Sequence, residues 1–245
     1  MPLISDNILM KKNLFALLVF LFCTASFLAA QGRDLGFHPD IIRGEVWVDF
    51  EPIFGMRPDP EFPLTAETAA RRALQEAALY FSGMIYGWSF HYDIVERARG
   101  IAEEFELEPM GEIVWGDPRL NITESEVRDM RLRVWADYRL NNVQQRRMSL
   151  WRMGTVRNAQ ATGFSSLEGP SPDSGWLDIR HAVLQDAARS AVRNMLRGDE
   201  RNRPRAATGY ISLASFPRFF VASGQWTASV RFRVQINEVI PFAVH

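Results

Sequence analysis

The residues able to do chemistry are few in this chain. It has four histidines, one cysteine and, among 28 basic residues, only two lysines. His91-Tyr92-Asp93 places an imidazole beside a carboxylate, as a metal site would. The other histidines (His38, His181 and His245) stand far from it, and none lies at a three- or four-residue helical step. A structural or surface role therefore fits His91 better than zinc ligation, and His181 reads as solvated. Carboxylates are plentiful: Glu45, Asp49 and Glu51 share a short stretch, and Glu103, Glu104, Glu106 and Glu108 form a run. A glycan hydrolase needs two carboxylates roughly 5–10 Å apart across a cleft, and alternate strand residues can supply that spacing. A charge run of this kind more simply reads as a solvated face. No G-x-S-x-G, phosphate-binding glycine loop or nucleophile–base pair is present. Lys11 and Lys12 are the lysines, so the chain beyond them has no amine for Schiff-base chemistry. The expectation is no catalytic residue, no metal and no cofactor.

Contact surfaces remain as candidates. Trp135 shares the polar side of an alternating stretch with Arg131 and Arg133, Trp47 alternates with acids in the same way, and Arg231 and Arg233 repeat the arginine pair. Tryptophan and arginine are enriched at protein interfaces. These six residues are the expected protein-binding positions. The simpler alternative pairs the arginines with acids across strands and covers the tryptophans with loops.

The elements that must position them occur twice. Leu74–Ala78 (LQEAA) returns as Leu184–Ala188 (LQDAA), Arg131-Leu132-Arg133-Val134 as Arg231-Phe232-Arg233-Val234, and Phe54 with Pro60 as Phe164 with Pro170. The shared order points to two domain-like halves, because solenoid repeats are usually shorter. The expected fold is α+β: two β-α-β-β halves, residues 31–142 and 143–245, each an antiparallel sheet with a helix packed on one face. Val46, Val48 and Phe50 alternate with polar neighbours after a loose leader, Gln31–Arg43. A loop with prolines at 58, 60 and 63 precedes a helix capped by Thr65, with Ala70, Leu74, Ala77, Phe81, Ile85 and Trp88 on its apolar face. Tyr92–Ala102 is read as more helix, Phe105–Trp115 as a strand, and Val127–Leu140 as an alternating strand. Asn141–Arg152 is ambiguous. Thr155–Phe164 reads as strand and Leu177–Arg197 as helix. Tyr210–Ala222 and Trp226–Val239 read as a hairpin turning at Ser223-Gly224, with Arg231 and Arg233 facing out. Such alternation suits an antiparallel sheet with one solvated face.

Residues 1–30 read as targeting. Lys11 and Lys12 precede an uncharged run from Leu14 to Ala30, and small residues end it, as in a secretory signal peptide. Met10 looks a more natural start than Met1. An uncleaved anchor is the rival, at the short edge of spanning length. Cys23 lies inside the run after Phe22, where a lipid-attachment site wants a small residue. Cleavage would leave a chain without thiols. A hydrophobic content of 47% and a net charge of −1 describe an ordinary globular protein with no pull toward nucleic acid.

Ala161–Pro170 (ATGFSSLEGP) followed by Ala182–Leu196 (AVLQDAARSAVRNML) resembles the FlgP-type lipoprotein family and the related N-terminal domain of FlgT. Gly163-Phe164, Ala182, Ala187, Ala191, Asn194, Met195 and Leu196 carry the likeness, which covers residues 161–198 and reaches the first half only through the repeat. The chain departs from the lipoproteins at Phe22-Cys23, which puts lipid anchoring in doubt. The resemblance implies a non-enzymatic envelope component, flagellum-associated in its narrowest form. The expected partners are other envelope or flagellar proteins, or a second copy. The expected location is the periplasm, in peripheral contact with the outer membrane at most and without stable membrane insertion after cleavage. Two alternatives stand beside it: an envelope enzyme acting on cell-wall glycan, and a small-ligand binding module.

Overall fold

The computed structural model describes residues 40–53, 61–93, 103–171, 173–199 and 204–241. The signal segment 1–30, with Cys23, and Phe54 with Pro60 of the repeat lie outside the described residues. Those described belong to a single compact unit within Asp40–His245.

In chain order the elements are β1 (Ile41–Asp49), α1 (Ala66–Ile85), β2 (Trp88–Asp93), β3 (Glu104–Pro109), β4 (Leu120–Arg128), β5 (Arg131–Arg139), α2 (Asn142–Leu150), β6 (Arg157–Ser166), α3 (Trp176–Asp199), β7 (Pro204–Leu213), β8 (Arg218–Ala222) and β9 (Gln225–Pro241). The fold is α+β with antiparallel sheets, as the alternation implied. One sheet has the order β1-β5-β4. The other runs β3-β2-β7-β9-β6, with β8 pairing beside β7 on β9. The order β1-β5-β4 reappears as β6-β9-β7, with each half's alternating strand in the middle. The second sheet is larger because β2 and β3 pair onto β7.

The two long helices take matching places. Thr65 caps α1 by accepting from the Thr68 N–H, and Ala69, Ala73, Ala77 and Phe81 are buried along it. Their counterparts 110 residues on, Ile179, Val183, Ala187 and Ala191, are buried along α3. Small residues on these stripes let each helix lie close to its strands, α1 over β1 and β5, α3 over β6 and β9. Phe81 contacts Tyr138 of the first sheet and Phe216 in the connection between β7 and β8, and α1 also packs on β7, so it serves both sheets. Burying a side chain of that size stabilises by roughly 1.5–3 kcal/mol.

Four local readings need correction. Tyr210–Ala222 is not one strand: β7 ends at Leu213 and β8 begins at Arg218. Trp88–Asp93 does not extend the helix, and residues 94–102 of that reading lie outside the described residues. Gly87 has φ +68°, and a Cβ there would come within 2.4 Å of the Ile211 carbonyl oxygen, so the chain turns and Trp88–Asp93 alternates as a strand. The strand read over Phe105–Trp115 stops at Pro109. The first strand begins at Ile41, inside the supposed leader. The ambiguous Asn141–Arg152 forms α2. Its capping box is reciprocal: the Asn141 side chain accepts from the Gln144 N–H, and the Gln144 side chain accepts from the Asn141 N–H. The Ser223-Gly224 turn has φ of 52° and 71°, the left-handed pair that a two-residue hairpin needs.

Candidate interaction faces and a buried ionic cluster

Antiparallel register sets the outward face of the first sheet in cross-strand rows. Arg43 pairs with Asp137, Glu45 with Trp135, Trp47 with Arg133, and Asp49 with Arg131. On the far side of β5, Glu124 faces Trp135 and Glu126 faces Arg133. Trp135 is 40% exposed between two glutamates. Arg133 is also exposed, with no ion pair among the described residues. The result is a flat face with one aromatic anchor and one uncommitted guanidinium at its centre.

The other arginines on this face are committed. Arg43 holds Asp137 through two bonds of 2.6 and 2.8 Å. Arg131 donates from Nε to Asp49 at 2.7 Å and lies 3.7 Å from the Trp47 ring centroid. Trp47, read as an outward contact residue, is half-buried and packs 6.1 Å from Trp226. In the second sheet Arg231 is exposed, whereas Arg233 is half-buried with Nη1 at 3.5 Å from the Leu213 carbonyl oxygen. Burial and the like charge of Arg152 lower the Arg233 pKa. The six positions therefore divide: Arg133, Trp135 and Arg231 face solvent, while Trp47, Arg131 and Arg233 are partly engaged by the fold.

The composition gave no hint of a buried ionic cluster between the two long helices. Glu76 of α1 and Arg180 of α3 are 3% and 6% exposed, with Nε and Oε1 3.2 Å apart. The Tyr80 hydroxyl donates to Glu76. The Arg180 guanidinium lies 4.2 Å from the Trp226 centroid, 4.5 Å from Phe219 and 5.7 Å from Trp47. Arg72 bonds Glu61 at 2.8 Å and lies 5.2 Å from the Phe62 ring. Glu76 Oε2 and Trp226 Nε1 have no hydrogen-bond partner among the described residues. Both residues line a small cavity of about 50 Å³, room for a water or two.

A second polar network holds the loop before β4. Arg119 donates to Asp117 and to Gln144, the Gln144 amide donates to the Tyr86 and Tyr138 hydroxyls, and Tyr138 donates to Asp117. These bonds bring the Asp117 carboxyl down to about 2, with Arg119 as the main cause. Burial raises the phenols of Tyr80, Tyr92 and Tyr138 above their ordinary value. Each is neutral in the fold and ionises more readily when unfolded. Their stabilisation is therefore complete below about pH 10 and is lost as pH rises toward the folded-state values. Absorbance at 295 nm should show these three phenols ionising together with alkaline unfolding. Smooth titration of all the tyrosines before loss of circular dichroism would contradict this assignment.

Of the carboxylates, Glu104, Glu106 and Glu108 stand exposed on edge strand β3, a solvated face. Glu103 accepts from the Tyr92 hydroxyl at 2.6 Å. His91 and Asp93 lie 3.3 Å apart, and among the described residues no group of three or more His, Cys, Asp or Glu converges to hold a metal. His181 is exposed at the rim of an open groove of about 520 Å³, walled by Leu79, Trp88, Ile113 and Leu177, with Val114 and Trp115 projecting beside it.

A family model matches residues 36–242. An uncharacterized protein of Treponema pallidum (strain Nichols) is 26% identical over 201 residues, covering 82% of this chain and 81% of its own. No solved structure matches.

Proposed function

We propose a structural or interaction role in the bacterial cell envelope for this chain, which belongs to the family whose model spans residues 36–242. The observation that carries the reading is the outward face of the first sheet. Trp135 and Arg133 are exposed two residues apart on the central strand β5, Trp135 between two glutamates and Arg133 between Trp47 and Glu126. A side chain from a partner can stack on the indole while its carboxylate takes the guanidinium, and such anchors carry most of the energy of an interface. The apolar segment Leu14–Ala30 and the small residues that end it support export to the periplasm, with cleavage near Ala30. Among the described residues no helix is long and apolar enough to cross a membrane. A flagellar partner is the narrowest form of the proposal and rests on the helix resemblance over residues 161–198.

Arg133→Ala combined with Trp135→Ala tests the face directly. Both side chains are exposed, so stability should move by no more than about 0.5 kcal/mol. A photo-crosslinking residue at position 135 should give discrete adducts with envelope proteins, and Arg133→Ala should diminish them. Arg131 is left in place because it holds Asp49 and Trp47. Absence of adducts at 135, or unchanged adducts in the Arg133 variant, would remove the assignment. The groove beside Trp115 favours a second reading, a small apolar ligand. Leu79→Trp, which would fill it, should block that ligand without touching the crosslinks at 135.

A further inference from the structure

Strand β6 is an edge of the larger sheet, and α3 lies over it. The Phe164 N–H points away from β9 and is taken by the Asp186 carboxylate of α3 at 3.0 Å. Arg189, less than one turn on, holds the other Asp186 oxygen. The fold thus closes one edge N–H with a carboxylate backed by a guanidinium.

The next repeat of this arrangement lacks its carboxylate. Along an antiparallel edge every second N–H points outward, so the Thr162 and Gln160 N–H groups share the direction of Phe164. Two strand residues advance about 6.8 Å and four helix residues about 6 Å, so the two periodicities keep step. Moving four residues along α3 exchanges Asp186 for Ser190 and Arg189 for Arg193. Asn194 and Arg197 follow on the next turn. Ala161, Thr162, Ser190, Arg193, Asn194 and Arg197 line an open polar cleft of about 320 Å³. Arg193 is 3.4 Å from Glu103, whereas Arg197 is exposed and has no acidic partner among the described residues. The cleft offers an edge N–H, a hydroxyl, an amide and two guanidiniums around the place where Asp186 would put its carboxylate.

We propose that this cleft is a carboxylate-binding groove for an extended acidic segment of a partner protein, laid along the edge of β6 that pairs with no strand among the described residues. The edge favours an extended chain over a free anion: successive outward N–H and C=O groups pair with a strand, while alternate side chains reach the helix. No acidic residue lies within Arg157–Ser166 to repel it. This site is on the other sheet from Arg133 and Trp135 and stands independently of the role proposed for them.

The test uses the full chain and a fluorescein-labelled peptide, Val-Asp-Val-Asp-Val with blocked ends, followed by polarisation. The acidic peptide should bind at least about tenfold more tightly than its Val-Asn-Val-Asn-Val counterpart, since charge-assisted bonds to arginine are lost in the second. Its affinity should fall with added salt. Ser190→Asp supplies the missing carboxylate from within, so it should abolish binding while melting no lower than the parent protein. Arg197→Gln should weaken binding about tenfold with the fold intact, which keeps the test decisive if Ser190→Asp folds poorly. Equal binding of the two peptides, or undiminished binding in both variants, overturns the proposal. So does a protein that binds inorganic phosphate through Arg197 and ignores the peptide.

Discussion

Glu76→Ala is expected to lower the unfolding free energy by about 3–5 kcal/mol, and Arg180→Ala by a similar amount. Each change leaves the partner's charge in a site less than a tenth exposed, where the water or two that the cavity can hold solvate it far less than bulk water would. Glu76 also accepts from Tyr80, so its loss strands a buried hydroxyl, which costs a further 1–3 kcal/mol or so. Arg180 adds contact with Trp226 and Phe219, and these rings would face a void in its absence.

A triple replacement separates desolvation from packing. Glu76→Leu with Arg180→Met and Tyr80→Phe removes both charges and the stranded hydroxyl together while keeping most of the volume. Its stability should return to within about 1–2 kcal/mol of the parent, because an apolar substitute avoids the cost of holding two ions away from water. Urea unfolding followed by tryptophan fluorescence measures this. If the triple variant is as unstable as the sum of its parts, the cluster acts through specific geometry and the desolvation account is wrong.

The regular parts of the fold were legible because they depend on local periodicity. Alternation in Arg131–Arg139 and Gln225–Pro241 marked the central strands, and the recurring alanine stripes marked α1 and α3. The pairing of β2 onto β7 was hidden, since it joins residues more than 100 positions apart and no local signal names a partner. The α2 helix carries one local signal in the sequence, Asn141 followed three residues later by Gln144. Of the candidate face, the exposure of Arg133 and Trp135 followed from alternation. The commitment of Arg131 to Asp49 did not, because it depends on the register between β1 and β5. The buried cluster left one faint trace. Arg72, Glu76 and Tyr80 recur at four-residue steps beside the apolar stripe of α1, which places three polar side chains on one flank. That their partner would be Arg180 depends on how two helices meet.

Gly163→Ala is expected to cost about 3 kcal/mol, at the upper end for overpacking. A Cβ at this position would come within 2.1 Å of the Val183 carbonyl oxygen, 2.5 Å of the Ala187 nitrogen and 2.8 Å of the Ala187 Cβ. Two of those atoms are helix backbone, so no rotamer change relieves the clash. The whole of α3 must move off β6, and the helix buries Val183, Leu184, Ala187, Ala188, Ala191 and Val192 at 1% exposure or less. The Gly163-Phe164 pair, which the sequence resemblance over residues 161–198 singles out, thus has a packing role: glycine lets the helix approach, and the following N–H is held by Asp186. Ala187→Gly should recover little, since the Val183 carbonyl still blocks the new methyl. Phe164→Ala is the control, because that ring is 49% exposed on the opposite face and its loss should cost far less. Thermal melts of the three variants decide the matter. A Gly163→Ala protein that melts with the parent would mean that α3 stands farther from β6 than these distances say, and the carboxylate groove inferred beside them would lose its geometry as well.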